Sequence, residues 1–465
     1  MSRRSDTTYD VVVLGGGPAG LGAAYRLARA GRRVLVLERE PYVGGLAASF
    51  EVAGQRVDHG SHRLHPSTPS PIMALLRDLL GADLQRRPRN GRIRMAGRFV
   101  AFPLRPTDLV RTLPPALSIR LAIDMVSSPL RKRAPNDTFA GSVRASLGPT
   151  MTDRFYAPYV EKLFGVPAEQ LSGELARRRI GASSAGALVR RVVRPNPDRG
   201  VFFYPRRGYG QISEALAGVA TESGAETRTG AEVVALRPST DHVEVDLSDG
   251  STVTAGSAWS TLPLALLARL AAAPADVLDA ARRLESRAMV LVYLALPHDR
   301  WTPYDAHYFP ERDVLMSRVS EPKNYRDSAD DPRGITVLCA EVPCAVGDER
   351  WSASPEVLGV EVREALTRSA LPVPEPVEVV VRRVPRVYPV YRVGFEQPFA
   401  TLDTWATGLP NVLHFGRQGL FAHDNTHHAL AMAWAAVDAL GPDGRIQPDR
   451  WADARAAFAT HVVED

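Results

Sequence analysis

Tyr9-Asp-Val-Val-Val-Leu-Gly-Gly-Gly-Pro-Ala-Gly20 runs from strand-forming residues into a glycine loop, and an acidic residue, Glu38, closes the next apolar run. Val11 to Leu14 form a short continuous apolar stretch, the mark of a buried parallel strand. Leu21 to Ala30 read as a helix ended by Gly31, and Arg33-Val-Leu-Val-Leu-Glu38 reads as a second strand. Within Gly15-x-Gly17-x-x-Gly20 each glycine has its own task. Gly15 permits the tight turn, Gly17 lets backbone approach a pyrophosphate, and Gly20 lets the helix pack close to the strand. Pro18 and Ala19 complete the loop at the helix N-terminus, where free N–H groups and partial positive charge suit phosphate. Glu38, followed by Arg39, stands where a carboxylate accepts ribose hydroxyls. Together these parts specify a dinucleotide-binding unit.

The 465 residues exceed what one core usually serves, so two interleaved domains are expected. Hydrophobic content of 45% with 23% charged residues is ordinary for a soluble globular chain. The formal charge of +5 comes from an arginine bias, since Lys132, Lys162 and Lys323 are the only lysines. No basic block is interleaved with aromatics, so no nucleic-acid partner is expected. Cys339 and Cys344 lie five apart and make neither a disulfide framework nor a CxxC pair. The first eight residues lead directly into the first strand without the apolar region of a signal peptide, and no stretch is long and apolar enough to span a membrane. The expectation is a cytoplasmic enzyme acting on a small molecule.

Ser70 to Leu80 read as a helix, and Arg92 to Pro103 as a hairpin turning at Ala96-Gly97. Thr107 to about Ala185 are largely helical, interrupted at Pro114-Pro115 and Pro129. Three short strands are expected over Glu226 to Leu264 around Asp249-Gly250, and another strand over Asn411 to Gly416. The expected fold class is α/β, with a doubly wound, Rossmann-type nucleotide domain that is discontinuous in sequence and a mixed-sheet second domain. Residues 8–90, 200–265 and 390–445 are assigned to the first. Residues 91–199 and 266–389 go to the second, with a helical insert over about 105–185, and 446–465 form a C-terminal tail or helix.

Further motifs follow in a fixed order. They are Gly44-Gly45 with Leu46, His59-Gly-Ser-His-Arg-Leu-His65, Phe155 to Gly165, Phe203 to Gly210, Gly230-Ala-Glu-Val-Val-Ala235, Ser260-Thr-Leu-Pro263, Tyr388-Pro-Val-Tyr391, and Gly416-Arg417 before a helix. With these the chain resembles the two-domain FAD-dependent amine oxidase superfamily, which includes protoporphyrinogen oxidase, phytoene desaturase and, more distantly, UDP-galactopyranose mutase. The resemblance, rather than the glycine loop, implies FAD instead of NAD. It implies that Gly44, Gly45 and Leu46 pass close to the pyrophosphate and flavin, and that the Val233 backbone holds adenine. It places Thr261 at a strand end closing on the cofactor, and His62, Arg63 and Leu64 beside the flavin. Gly416, Arg417, Asn425 and Thr426 would lie at a helix N-terminus facing the flavin pyrimidine. One departure stands out. Where amine oxidases commonly carry a lysine that holds a water beside the flavin, this chain has Met289, so Lys162 or Lys323 would have to reach the site from elsewhere.

For catalysis the candidates are His62, His65, Asn425, Tyr391 and Arg318. A histidine titrates near neutral pH and can move the proton that accompanies hydride transfer. The two histidine clusters, His59/His62/His65 and His423/His427/His428, also have spacings that can converge on zinc, but no cysteine or carboxylate pattern joins them and no metal is expected. Tyr156, Tyr159, Tyr308 and Tyr388 are further candidates for an aromatic cleft. Arg206 and Arg207, with Arg318, are candidates for an anion clamp. Leu109 to Val126 is apolar with sparse arginines, a pattern of a core or lid helix that in some relatives meets membranes. The leading expectation is a dehydrogenase or oxidase passing hydride from a small or medium specialised metabolite (an amine, alcohol or saturated carbon–carbon bond) to flavin N5. A redox-neutral sugar mutase and a flavin-bearing scaffold without turnover are the alternatives.

Overall fold

The computed structural model describes residues 8–127, 131, 137–180 and 200–463. Tyr9–Leu14 lies at the heart of a seven-stranded sheet, parallel to Val34–Leu37 on one side and to Thr252–Ser260 on the other. Glu226–Arg228 extends the sheet beyond Val34–Leu37, and Val412–His414 pairs in parallel with the end of Thr252–Ser260. Val233–Pro238 and Val243–Leu247 form the antiparallel edge. Four strands therefore occupy 226–260 where three were expected. The strands are covered on both faces, as their unbroken apolar character requires. Val11, Val13, Val34 and Val36 pack under the helices Pro18–Arg29, Gln211–Glu222 and Thr426–Asp438. Val12, Leu14 and Leu35 pack on the opposite face.

A second seven-stranded sheet runs in the order Glu378–Pro389, Ser286–Leu296, Thr336–Cys344, Arg318–Ser320, Ala306–Tyr308, Gly91–Met95 and Arg98–Phe102. Only the pairing of Ala306–Tyr308 with Gly91–Met95 is parallel, so the sheet is mixed. The strand period of two decides its two faces. Met289, Leu291 and Tyr293 pack with residues of the helices Phe139–Leu147, Ala157–Phe164 and Gly173–Ile180, whereas Val290, Val292 and Leu294 pack with Leu358 and Val362 of Pro355–Arg368.

One expected boundary shifts. Leu264–Leu270 and Ala275–Arg283 pack with Leu402 and Ala406 of Glu396–Thr407 in the core of the first sheet, so the second unit begins at Ser286 rather than at 266. The C-terminal segment, expected as a tail or helix, forms the helix Pro448–Phe458, which sinks Trp451 and Phe458 into the nucleotide core. Within the insert, Pro106–Thr112 and Pro115–Ser127 are neither wholly core nor a lid. Leu113, Leu117 and Leu121 face the cluster containing Tyr308, while Val110, Ile119, Ile123 and Val126 are exposed. The interruption expected at Pro129 lies outside the described residues. Among the described residues no helix is long and apolar enough to cross a membrane.

Candidate active site

Leu14 pairs with Ser260, and Ser260 with His414, so the loops leaving these three parallel strands are neighbours at one sheet edge. Ligands of doubly wound sheets bind at that carboxyl edge. A cleft of about 830 Å³ opens there, lined by Gly15, Gly17, Thr261 and Gly416 from the first unit and by Tyr159, Met289 and Tyr308 from the second.

In the glycine loop the steric constraint falls on Gly15 and Gly20. Gly15 sits at φ +106°, and a Cβ there would lie 2.4 Å from Thr261 Oγ1. A Cβ on Gly20 would lie 2.0 Å from Gly15 O, leaving no room for any other residue. Gly17 differs, for a Cβ there would meet nothing closer than Gly44 O at 3.9 Å. That open space lies at the N-terminus of Pro18–Arg29, whose N-cap makes no side-chain hydrogen bond. Open space beside the free N–H groups of a helix N-terminus is of a kind that can hold an anion. Gly44 N–H donates to Gly16 O at 2.8 Å, which ties the second glycine pair to the first. Buried Glu38 accepts Gly16 N–H on Oε2 at 2.8 Å and Glu40 N–H on Oε1 at 3.0 Å. Pro18, Ala19, Arg39, Gly45, Leu46 and Val233 also line the cleft. Gly20 and Gly44 act from behind it.

The His59–His65 segment divides. His62 lines the cleft and stacks on Tyr209 with centroids 5.1 Å apart and planes 23° apart. Burial, helped by the charge of Arg318, pulls its pKa down to about 4, so the imidazole is neutral near pH 7. Its Nδ1 and His59 Nε2 are buried without a hydrogen-bond partner, polar atoms suited to a ligand that brings its own donors or acceptors. Arg63 also lines the cleft, held by Tyr325 Oη at 3.0 Å and Asp305 Oδ1 at 3.2 Å. Leu64 does not line the cleft. It is fully buried and bridges to Phe203 through two backbone hydrogen bonds of 3.0 and 2.8 Å. His65 lies outside the cleft lining, its Nδ1 accepting Ser67 N–H at 3.1 Å in the turn before Ser70–Leu80.

Tyr391, the other catalytic candidate outside the lining, packs elsewhere. Its hydroxyl donates to Phe421 O at 2.8 Å and its ring stacks on Phe395 at 4.0 Å, inside the second unit's core. Tyr159, Tyr308 and Tyr388 line the cleft, whereas Tyr156 does not. Arg206 pairs with Asp83 at 3.1 Å, and neither it nor Arg207 reaches the cleft. Arg318 does line it, but as half of a buried ion pair with Glu341 rather than as a bare clamp. Lys162 Nζ donates to Phe309 O at 2.6 Å, and Lys323 Nζ to Pro332 O at 2.6 Å. Met289 is in the cleft wall, and among the described residues no lysine lines it.

At the far side Asn425 caps Thr426–Asp438 through a capping box, in which His428 Nδ1 accepts Asn425 N–H at 3.1 Å. Asn425 and Thr426 line the cleft. Arg417 lines it too, with its guanidinium donating to Asp424 O at 2.9 Å and Val387 O at 2.7 Å. Asp424, His428 and His461 bring ligand-type atoms within 4.8 Å of one another, a grouping that joins the C-terminal segment to the helix start and that sequence spacing does not reveal. Sequence reading also missed Glu341. The signal was available, since it is the one charged residue in the otherwise apolar, wholly buried strand Thr336–Cys344.

The pattern of the flavin containing amine oxidoreductases matches residues 18–435. The chain belongs to that family. Like its fellow members it is a flavin-dependent oxidoreductase, and FAD is its cofactor. A phytoene dehydrogenase of Streptomyces griseus is 30% identical over 284 residues, 51% of this chain and 51% of that protein, so the match spans about half of that relative. The fold of reduced UDP-galactopyranose mutase superposes with a TM-score of 0.81 at 21% identity, covering 98% of this chain and 100% of the mutase. A putrescine oxidase variant superposes with a TM-score of 0.64 at 17% identity, covering 96% and 99%. This member of the amine oxidoreductase family thus keeps the shared fold while placing Met289 at a cleft position where a lysine was sought.

Proposed function

We propose that the chain oxidises a small or medium anionic metabolite at a carbon bearing a hydroxyl or within a saturated carbon–carbon bond. Bound FAD supplies the hydride acceptor. Gly17 and the Pro18–Arg29 N-terminus would hold its pyrophosphate, Glu38 its ribose, and the N-terminus of Thr426–Asp438 would stabilise negative charge on the ring. The observation that carries the reading is neutral His62, with its unpartnered Nδ1, in the wall of a cleft where arginines outnumber carboxylates. A neutral imidazole accepts a hydroxyl proton as hydride leaves, whereas an arginine-rich cleft repels an ammonium substrate. Met289 supports the same preference against amines. Tyr159, Tyr308 and Tyr388 supply walls that orient the substrate and exclude water. The test is anaerobic bleaching of the FAD-loaded protein by a panel of hydroxy acids, saturated acids and amines. Bleaching by amines alone overturns the reading.

The arginine excess also favours a second reading, a redox-neutral mutase acting on a sugar diphosphate. That reading predicts turnover only after prior reduction of the protein, with no net oxidation.

A further inference from the structure

Between the two units Ser61 is gripped from the opposite sheet at both its backbone N–H and its backbone C=O. Glu341 Oε1, on the Thr336–Cys344 strand, accepts Ser61 N–H at 2.9 Å. Arg318 Nη2, from the adjoining Arg318–Ser320 strand, donates to Ser61 O at 3.4 Å. The two side chains are joined to each other, with Arg318 Nε and Nη2 at 3.0 and 2.7 Å from Glu341 Oε1 and Nη2 at 2.9 Å from Oε2. Their side chains are 13% and 5% exposed, so the pair is held at low dielectric where its geometry is stiff. Neighbouring atoms are fixed from the same side. Tyr293 Oη donates to Asp58 O at 2.6 Å, and Ser61 Oγ lies 2.5 Å from Tyr325 Oη. A Cβ on Gly60 would meet Glu341 Oε1 at 3.4 Å, so the loop rests directly on the carboxylate.

We propose that Glu341 and Arg318 are a positioning pair, which by clamping the backbone N–H and C=O of Ser61 sets both the orientation and the charge of His62. The proposal deepens the redox reading, in which His62 is the proton-handling group. The clamp leaves His62 little freedom, since the preceding residue is held at both its N–H and its C=O and the His62 ring is stacked on Tyr209. The charges facing the ring are Arg318 and Glu341 from the second sheet, Arg417 from the Gly416–Gly419 turn, and His59 on the same loop. Arg318 disfavours the imidazolium and Glu341 favours it. The halves of one ion pair therefore push His62 in opposite directions, whereas a merely structural brace would do the same thing when either half is removed.

The test is a titration of the FAD-loaded, substrate-free protein labelled with carbon-13 histidine, with the His62 signal assigned by its loss in His62→Gln. The parent protein is expected to show no His62 titration above about pH 5, consistent with the depression to about 4. Arg318→Gln is expected to raise the His62 midpoint by roughly one to three pH units. Glu341→Gln, which keeps an acceptor for Ser61 N–H, is expected to leave it low or lower it further. Exchange of the Ser61 amide should quicken in Glu341→Ala but not in Glu341→Gln, a measurement that survives if Arg318→Gln does not fold. Midpoints that rise together in both glutamine variants, a parent His62 titrating near 6.5, or unchanged exchange in Glu341→Ala would each overturn the proposal. Because no substrate is present, these results stand apart from whether hydroxy acids bleach the flavin.

Discussion

Glu38 Oε2 lies 2.8 Å from Gly16 N, so the carboxylate at the end of the second strand braces the apex of the glycine loop. An ionised carboxylate offers about four lone-pair sites, and the two backbone N–H groups it accepts leave room for ribose hydroxyls. Glu38→Gln keeps one acceptor oxygen for the loop but weakens the charge-assisted bonds. Each such bond contributes about 1.5–3 kcal/mol, so FAD should bind roughly tenfold to a hundredfold more weakly while the apoprotein stays folded. Equilibrium dialysis of FAD checks this, and unchanged affinity removes Glu38 from the cofactor site.

Gly17 and Gly20 should respond oppositely to alanine. Gly17 has φ −80° and ψ 177°, open to any residue, and its Cβ would clear the chain by 3.9 Å. Gly17→Ala should match the parent in apoprotein stability, or exceed it by up to about 1 kcal/mol through a stiffer unfolded chain, yet lose FAD because the methyl fills the phosphate space. In Gly20→Ala the methyl falls 2.0 Å from Gly15 O. That overlap places it among substitutions costing more than about 4 kcal/mol. Thermal unfolding with and without FAD separates the two. Equal losses of apoprotein stability would refute the division of tasks.

How far the sequence reached depends on the range of the interactions involved. Gly15 and Gly20 were legible because each answers to atoms within a few residues or at the end of a parallel neighbour strand. Tyr391 and His65 were not, since a tyrosine three residues from Tyr388 and a histidine three from His62 look equivalent until strand ends and turns decide which one faces the cleft. Tyr388 ends the Glu378–Pro389 strand facing the cleft, whereas Tyr391, beyond it, turns its hydroxyl to Phe421 O. Arg318 was found without its partner, because an ion pair between residues 23 apart leaves no local pattern. The exposed face of Ile119, Ile123 and Val126 was hidden by the second apolar face of the same helix, formed by Leu117 and Leu121.

Tyr391 supplies a control for the site. Removing its hydroxyl in Tyr391→Phe deletes one hydrogen bond to Phe421 O, worth about 1 kcal/mol net, and leaves the ring stack on Phe395 intact. Urea unfolding should register that small loss while FAD affinity and the flavin absorbance spectrum stay as in the parent. A change in the flavin spectrum would return Tyr391 to the reacting centre.

Lys162 gives a prediction in pH. Burial pulls its ammonium from the ordinary 10.5 down to about 7, against the weaker pull of Glu311 and Asp313. At pH values below the folded-state value, both states hold the proton and the full burial penalty is present. Between about 7 and 10.5 the unfolded chain keeps the proton that the folded chain sheds, so the unfolded state binds more protons and stability must rise with pH. Above that window both are neutral and the slope vanishes. Lys162→Met removes the titrating group, although it also leaves Phe309 O and Met316 O without their donor. Urea unfolding of both proteins across this window should therefore show a stability difference that grows with pH in favour of the parent. A flat difference would mean that Lys162 stays charged on its two carbonyls, with the hydrogen bonds outweighing burial.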